Sequence, residues 1–222
     1  MCGISGIMYK NSRSQGVAPI GDALVKMLES LTHRGKDSSG VTVAGEHLDE
    51  DLIIRIWTDG LAGAPEVLAR SEESISAIGA VVKSRRTWGE YLRLTVNYEG
   101  QIAALAEALL STEGVELHSI GEASEVIKDV GTPVDIDGRH QISGLKGTHG
   151  IGHVRMATES RVDIGHAHPF WAYPFPDVTV VHNGQLTNYH NLKRAYENRS
   201  YRFQTGNDSE LIAVYLADRL AG

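Results

Sequence analysis

Cys2 is the sole cysteine of this 222-residue chain, and its place directly after Met1 decides what it can do. Removal of Met1 would leave a thiol and a free α-amine on one residue. A model thiol titrates at about 8.5 and an α-amine at about 7.7 to 8.0, so the amine can accept the thiol proton near neutral pH and relay it to a leaving amine. Nucleophile and base then reside together. The commoner fate of a cysteine is to be buried as a small hydrophobe, and Cys2 alone leaves both readings open. The Asn183-Gly184 pair is equally two-sided, because Asn-Gly is also the strongest short signal for a hairpin turn. The ten histidines raise a metal site, with His166 and His168 two apart and His182 near His190. However, no cysteine or carboxylate completes a recognisable zinc set around them, and no metal is expected. The glycines follow no phosphate-binding spacing.

The short motifs, in order along the chain, are more specific. Met1-Cys2-Gly3-Ile4 is followed by His33-Arg34-Gly35-Lys36-Asp37-Ser38-Ser39-Gly40, then by Gly152-His153-Val154-Arg155-Met156-Ala157-Thr158. Ala167-His168-Pro169-Phe170, His182-Asn183-Gly184-Gln185-Leu186-Thr187-Asn188 and Asn207-Asp208-Ser209-Glu210 complete the series. Each motif is weak alone, but the ordered set resembles that of class II glutamine amidotransferases, which are N-terminal nucleophile hydrolases.

Free glutamine carries a carboxylate, an ammonium and a neutral amide, so its site needs a cation, an anion and a place for an oxyanion. Arg155 suits the carboxylate because a guanidinium offers a rigid two-pronged donor, and Asp208 suits the ammonium. Their plain alternatives are a strand salt bridge worth under about 1 kcal/mol and a helix N-cap worth about 1 kcal/mol. The resemblance implies that Arg155 and Asp208 grip the amino-acid end, with Thr158 beside the substrate. It also implies that the Asn183 side chain and the Gly184 backbone N–H form the oxyanion hole, where preorganised donors contribute a hundredfold or more in rate. Arg34 and His168 lie in matching motifs and are expected to support the pocket.

Around these residues the periodicity supplies the elements. Residues 2–8, 41–43, 52–57, 92–96, 115–120, 151–157 and 178–182 read as strands, and 22–31, 101–110, 123–130, 189–196 and 209–220 as helices. Asp22 and Asp208 are the N-cap candidates for the first and last helices. The alternation within residues 64–148 suggests a small inserted α/β subdomain. The resemblance implies an α+β fold, a four-layer α/β/β/α sandwich of antiparallel sheets, for the rest of 1–222. In the family further strands follow the helix over 209–220, which leaves two options: a differently completed sheet, or a chain that is part of a longer one.

Composition narrows the partners. The chain is 41% hydrophobic and 22% charged, as ordinary globular proteins are. A net charge of -7 with no basic run disfavours nucleic acid and membrane surfaces. No apolar stretch approaches the length of about 18 residues that a span needs, so a cytoplasmic location is expected. Met156, Glu159 and the long insertion make the wording resemble stand-alone glutamate-synthase-type subunits, including the amidotransferase-like subunit of N-methylglutamate synthase. That resemblance implies a hetero-oligomer with a synthase subunit carrying FMN and an iron–sulfur cluster and with a β-helix subunit, the present chain holding neither cofactor. It leaves open an active glutaminase, an idle structural or regulatory subunit, or an amidase acting on an N-alkylated glutamine.

Overall fold

A computed structural model describes residues 2–10, 17–58, 64–157 and 161–222. The chain runs β1 (Gly3–Met8), α1 (Ile20–Ser30), a 3₁₀ turn (Thr32–Arg34), β2 (Ser38–Ala44), β3 (Asp51–Thr58), α2 (Ala64–Ser76), β4 (Val81–Trp88), β5 (Tyr91–Asn97), α3 (Ile102–Leu110), β6 (Val115–Gly121) and β7 (Ser124–Val130). There follow α4 (Pro133–His140), β8 (His149–Arg155), β9 (Phe170–Trp171), β10 (Thr179–Val180), α5 (Tyr189–Glu197) and α6 (Asp208–Leu220). The chain divides into two compact units, one of Met1–Glu46, Val126–Ala172 and Val178–Gly222, the other of His47–Glu125 and Tyr173–Asp177.

In the first unit a sheet of order β1-β8-β2-β7 is built on the central strand β8, which pairs antiparallel with β1 and with β2. Strand side chains alternate between faces, and here the alternation decides what each face does. Gly150 and Gly152 face α1, which approaches so closely that a Cβ on either would stand 2.7 Å or 2.8 Å from Leu24 or Leu28. Val154 follows them onto the same face. It joins Ile20, Leu24, Leu28, Val41, Val43, Ile127 and Ile136 in the core between sheet, α1 and α4. Burying each large side chain there contributes about 1.5–3 kcal/mol before the loss of conformational entropy is counted. On the opposite face Thr42 receives a hydrogen bond from the Thr179 hydroxyl, and Lys128 lies over the Phe170 ring at 5.3 Å. The two-stranded β9–β10 sheet therefore covers that face, and α6 in turn packs on β9 and β10. The layer order of this unit is helix, sheet, sheet, helix.

The second unit is an antiparallel sheet of order β4-β5-β3-β6 with α2 and α3 packed against it. Leu92, Leu94 and Val96 form a fully buried row along β5. The intervening position, Arg93, lies opposite Arg55, and both guanidiniums bind the buried Glu125 carboxylate, at 2.9 Å and 2.6 Å. This unit shares residues 64–125 with the stretch read from the sequence as an insertion.

Three sequence readings are corrected. The segment 123–130, read as a helix, is β7, because Val126 and Ile127 are buried in an extended chain beside β2. Asp22 does not cap α1. That helix starts at Ile20 behind Pro19, and Asp22 pairs with Lys26 at 2.9 Å instead. Asn207 caps α6, its side chain accepting from the Ser209 N–H at 3.0 Å, and Asp208 opens the helix as its first residue.

Candidate active site

Register brings the first motifs together. Gly3 lies opposite Val154 and Ser38 opposite Arg155, so the start of β1 and the start of β2 flank the end of β8. One residue beyond the paired stretch, Cys2 meets the chain leaving β8. Its Sγ accepts from the Met156 N–H at 3.4 Å and lies 3.7 Å from the Met156 carbonyl oxygen. Because Gly3 faces α1, Cys2 faces the other way, the side on which β8 presents His153 and Arg155.

The Cys2 carbonyl is held by two side chains. Arg34 Nε donates to it at 3.0 Å from the 3₁₀ turn that follows α1, and Asn183 Nδ2 donates at 2.8 Å. A primary amide has two N–H donors, so Asn183 can fix the nucleophile's backbone and still offer a second hydrogen to an oxygen beside it. The hairpin reading of Asn183-Gly184 does not hold. A type I′ turn requires positive φ at both central residues, and neither residue adopts it.

The loop carrying this pair is tied at several points. His153 Nε2 lies 3.0 Å from the His182 carbonyl oxygen, and His182 Nδ1 lies 3.0 Å from Ser209 Oγ. Further along, the Leu186 N–H donates to Asp208 Oδ2 at 2.7 Å. Capping by Asn207 is what leaves the Asp208 carboxylate available for this bond. A carboxylate has lone pairs to spare after it, enough to accept from a substrate ammonium.

Arg155 is 4% exposed and donates through Nη1 to the Arg161 carbonyl oxygen at 3.0 Å. Burial pulls its guanidinium below the usual value, opposed by the charges of Cys2, Asp163 and Asp37. Asp37 pins the chain just past β8, accepting from the Ala157 N–H at 2.7 Å. His168 sits deeper, stacked on His153 with ring centres 4.1 Å apart and edge-on to Phe170. Burial, then repulsion between its protonated form and its neighbours His153, Lys128, Arg155 and His182, holds its imidazole well below the usual value. Burial likewise holds His153 down to about 4. Both rings are neutral at physiological pH. Thr158 lies outside the described residues.

Residues 153–221 match the profile of a glutamine amidotransferase domain. A protein of Methanothermobacter thermautotrophicus that carries the provisional name of glutamine amidotransferase is 39% identical over the whole of this chain, which spans 73% of that protein. The chain belongs to the glutamine amidotransferase family. The glutamine amidotransferase-like protein GlxB of Rhizobium meliloti is 33% identical, again over the whole chain and 71% of its own length. The amidophosphoribosyltransferase of Escherichia coli is 32% identical over 59% of this chain and 24% of its own length. Among the described residues no helix of this family member is long and apolar enough to cross a membrane.

Sequence reasoning passed over Asp37, His153, His182 and Ser209, although each lies inside a quoted motif. For His153 the signal was available: two residues before Arg155 on a strand, it must share that residue's face. For Asp37, His182 and Ser209 the contacts are between distant segments, and no local pattern reports them.

Proposed function

We propose that this amidotransferase hydrolyses glutamine to glutamate and ammonia through a thioester on Cys2. The observation that carries the reading is the grip on Cys2, whose sulfur lies against the Met156 amide while Arg34 and Asn183 fix its carbonyl. With Met1 removed, the α-amine of Cys2 takes the thiol proton and the thiolate attacks the side-chain carbonyl carbon of glutamine. The oxygen becomes an oxyanion, which the second Asn183 N–H and the Gly184 backbone N–H stabilise. As the intermediate collapses, the α-ammonium returns the proton to the departing nitrogen, and ammonia leaves. Water, deprotonated by the same amine, then attacks the thioester and releases glutamate with regeneration of the thiol. Arg155 holds the substrate carboxylate and Asp208 its ammonium, with Arg34 and His168 supporting the pocket and Thr158 beside the substrate.

The layer order of the first unit supports the α/β/β/α architecture of N-terminal nucleophile hydrolases. The wording around Arg155-Met156-Ala157-Thr158 supports delivery of ammonia to a partner of glutamate-synthase type, of which an N-methylglutamate synthase is one form. In that assembly FMN and the iron–sulfur cluster belong to the synthase subunit, and a β-helix subunit completes the complex.

Steady-state glutaminase assays test the proposal. The processed chain, alone or with its partner, is expected to release glutamate from glutamine, and Cys2→Ala to release none. Equal turnover by both would overturn it.

A further inference from the structure

Residue 182 is held from two directions. Its carbonyl oxygen lies 3.0 Å from His153 Nε2, and its ring Nδ1 lies 3.0 Å from Ser209 Oγ. The next residue, Asn183, donates to the Cys2 carbonyl at 2.8 Å. The one after is Gly184, where a Cβ would stand 2.7 Å from His182 Nε2. The Cβ clash bears on a ring that Ser209 holds in place, so only glycine fits without moving the clamp.

Both holding residues are themselves buried. His153 is 0% exposed on the central strand, with Ile4 opposite on β1 and Gly40 opposite on β2, and its ring stacks on His168. Ser209 is 2% exposed in the first turn of α6, directly after Asp208. The location of Asn183 and Gly184 relative to the nucleophile is thus set through residue 182, from the sheet on one side and from α6 on the other. A carbonyl can only accept, so His153 must carry a hydrogen on Nε2.

We infer that His153 and Ser209 are positioning residues for glutamine hydrolysis, clamping His182 by its carbonyl and its ring so that Asn183 and Gly184 stand ready as oxyanion donors. The inference rests on the function proposed above. A loosened oxyanion hole weakens an interaction made in the transition state, which lowers kcat and leaves KM nearly unchanged. Loss of one donor outright lowers kcat by about 10²–10³; a donor that is present but mobile should fall short of that.

The test compares His153→Leu, His153→Gln, Ser209→Ala and the double variant His153→Leu/Ser209→Ala. His153→Leu is expected to lower kcat by about 10- to 100-fold with KM within threefold of wild type. His153→Gln, whose amide can donate from near the place of Nε2, is expected to recover most of that rate. Ser209→Ala should lower kcat by less, and the double variant by less than the product of the two, because both act through one residue. The inference is overturned if His153→Gln is as slow as His153→Leu, if the loss falls on KM, or if the two effects simply multiply. Labelling of Cys2 by a diazoketone glutamine analogue keeps this separate from the proposed function, since a wild type that neither labels nor turns over refutes the function itself. In that event the clamp is judged by NMR. Faster amide exchange at Asn183 and Gly184 in His153→Leu or Ser209→Ala than in wild type would support it, and unchanged exchange would refute it.

Discussion

At the scale of single residues, Asn183 divides one amide between two tasks, holding the Cys2 carbonyl and offering a donor to the oxyanion. Asn183→Ala is therefore expected to lower kcat for glutamine by about a hundredfold, with a smaller change in KM; steady-state kinetics would contradict the assignment with a loss under threefold. The neutral histidines make a second prediction. The folded value for His153 is about 4 against an ordinary 6.5, so the unfolded chain binds the extra proton between those limits. Stability is complete above about pH 6.5 and is lost as pH falls toward 4, at up to about 1.4 kcal/mol per pH unit for this residue. His168 adds to the same slope. Urea denaturation at pH 7.5 and 5.0 should show the decline, which His153→Gln should flatten; a pH-independent midpoint would contradict the burial argument. The chemical residues, Cys2, Arg155, Asn183 and Asp208, were legible because each stands in an ordered motif. His182 and Ser209 were not, since what distinguishes them is a neighbour far away in sequence, while His153 was marked only by its place two residues before Arg155 on a strand.

At the scale of elements, alternation along β8 sorts glycine and valine toward α1 and His153 and Arg155 toward the site. The closeness of α1 is the condition for this arrangement. Gly21 within that helix is the sharpest probe, for a Cβ there would stand 1.8 Å from the Ile142 carbonyl oxygen. Gly→Ala inside a helix ordinarily stabilises by about 1 kcal/mol. Here Gly21→Ala is expected to destabilise by about 1–3 kcal/mol, as overpacking does, and a rise in the urea midpoint would contradict the packing described. Most strands and helices could be read from periodicity, but β7 could not. Its Glu and Lys, with Ala123 just before them, suggest a helix locally, and the pairing with β2 that makes it a strand is long-range. The caps shifted as well: Asp22 pairs with Lys26 one turn on in the same helix, and Asp208 accepts from the distant Leu186 N–H.

At the scale of the whole molecule, antiparallel strands with helices were legible, whereas strand order and the bounds of the second unit depended on contacts that local patterns do not carry. The second unit has its own buried polar centre, in which Arg55 and Arg93 share Glu125. Glu125→Gln would leave two guanidiniums without their common counter-charge. A loss of about 3–5 kcal/mol is expected by urea denaturation, and a change under about 1 kcal/mol would show that other groups balance them. Intact mass reads the role of Cys2 directly. The purified chain is weighed before and after incubation with the diazoketone glutamine analogue, with Cys2→Ala alongside. A chain lacking Met1 that gains one analogue less dinitrogen is expected, with no gain in Cys2→Ala. A chain that retains Met1 and gains nothing, or one labelled equally without Cys2, would contradict that role.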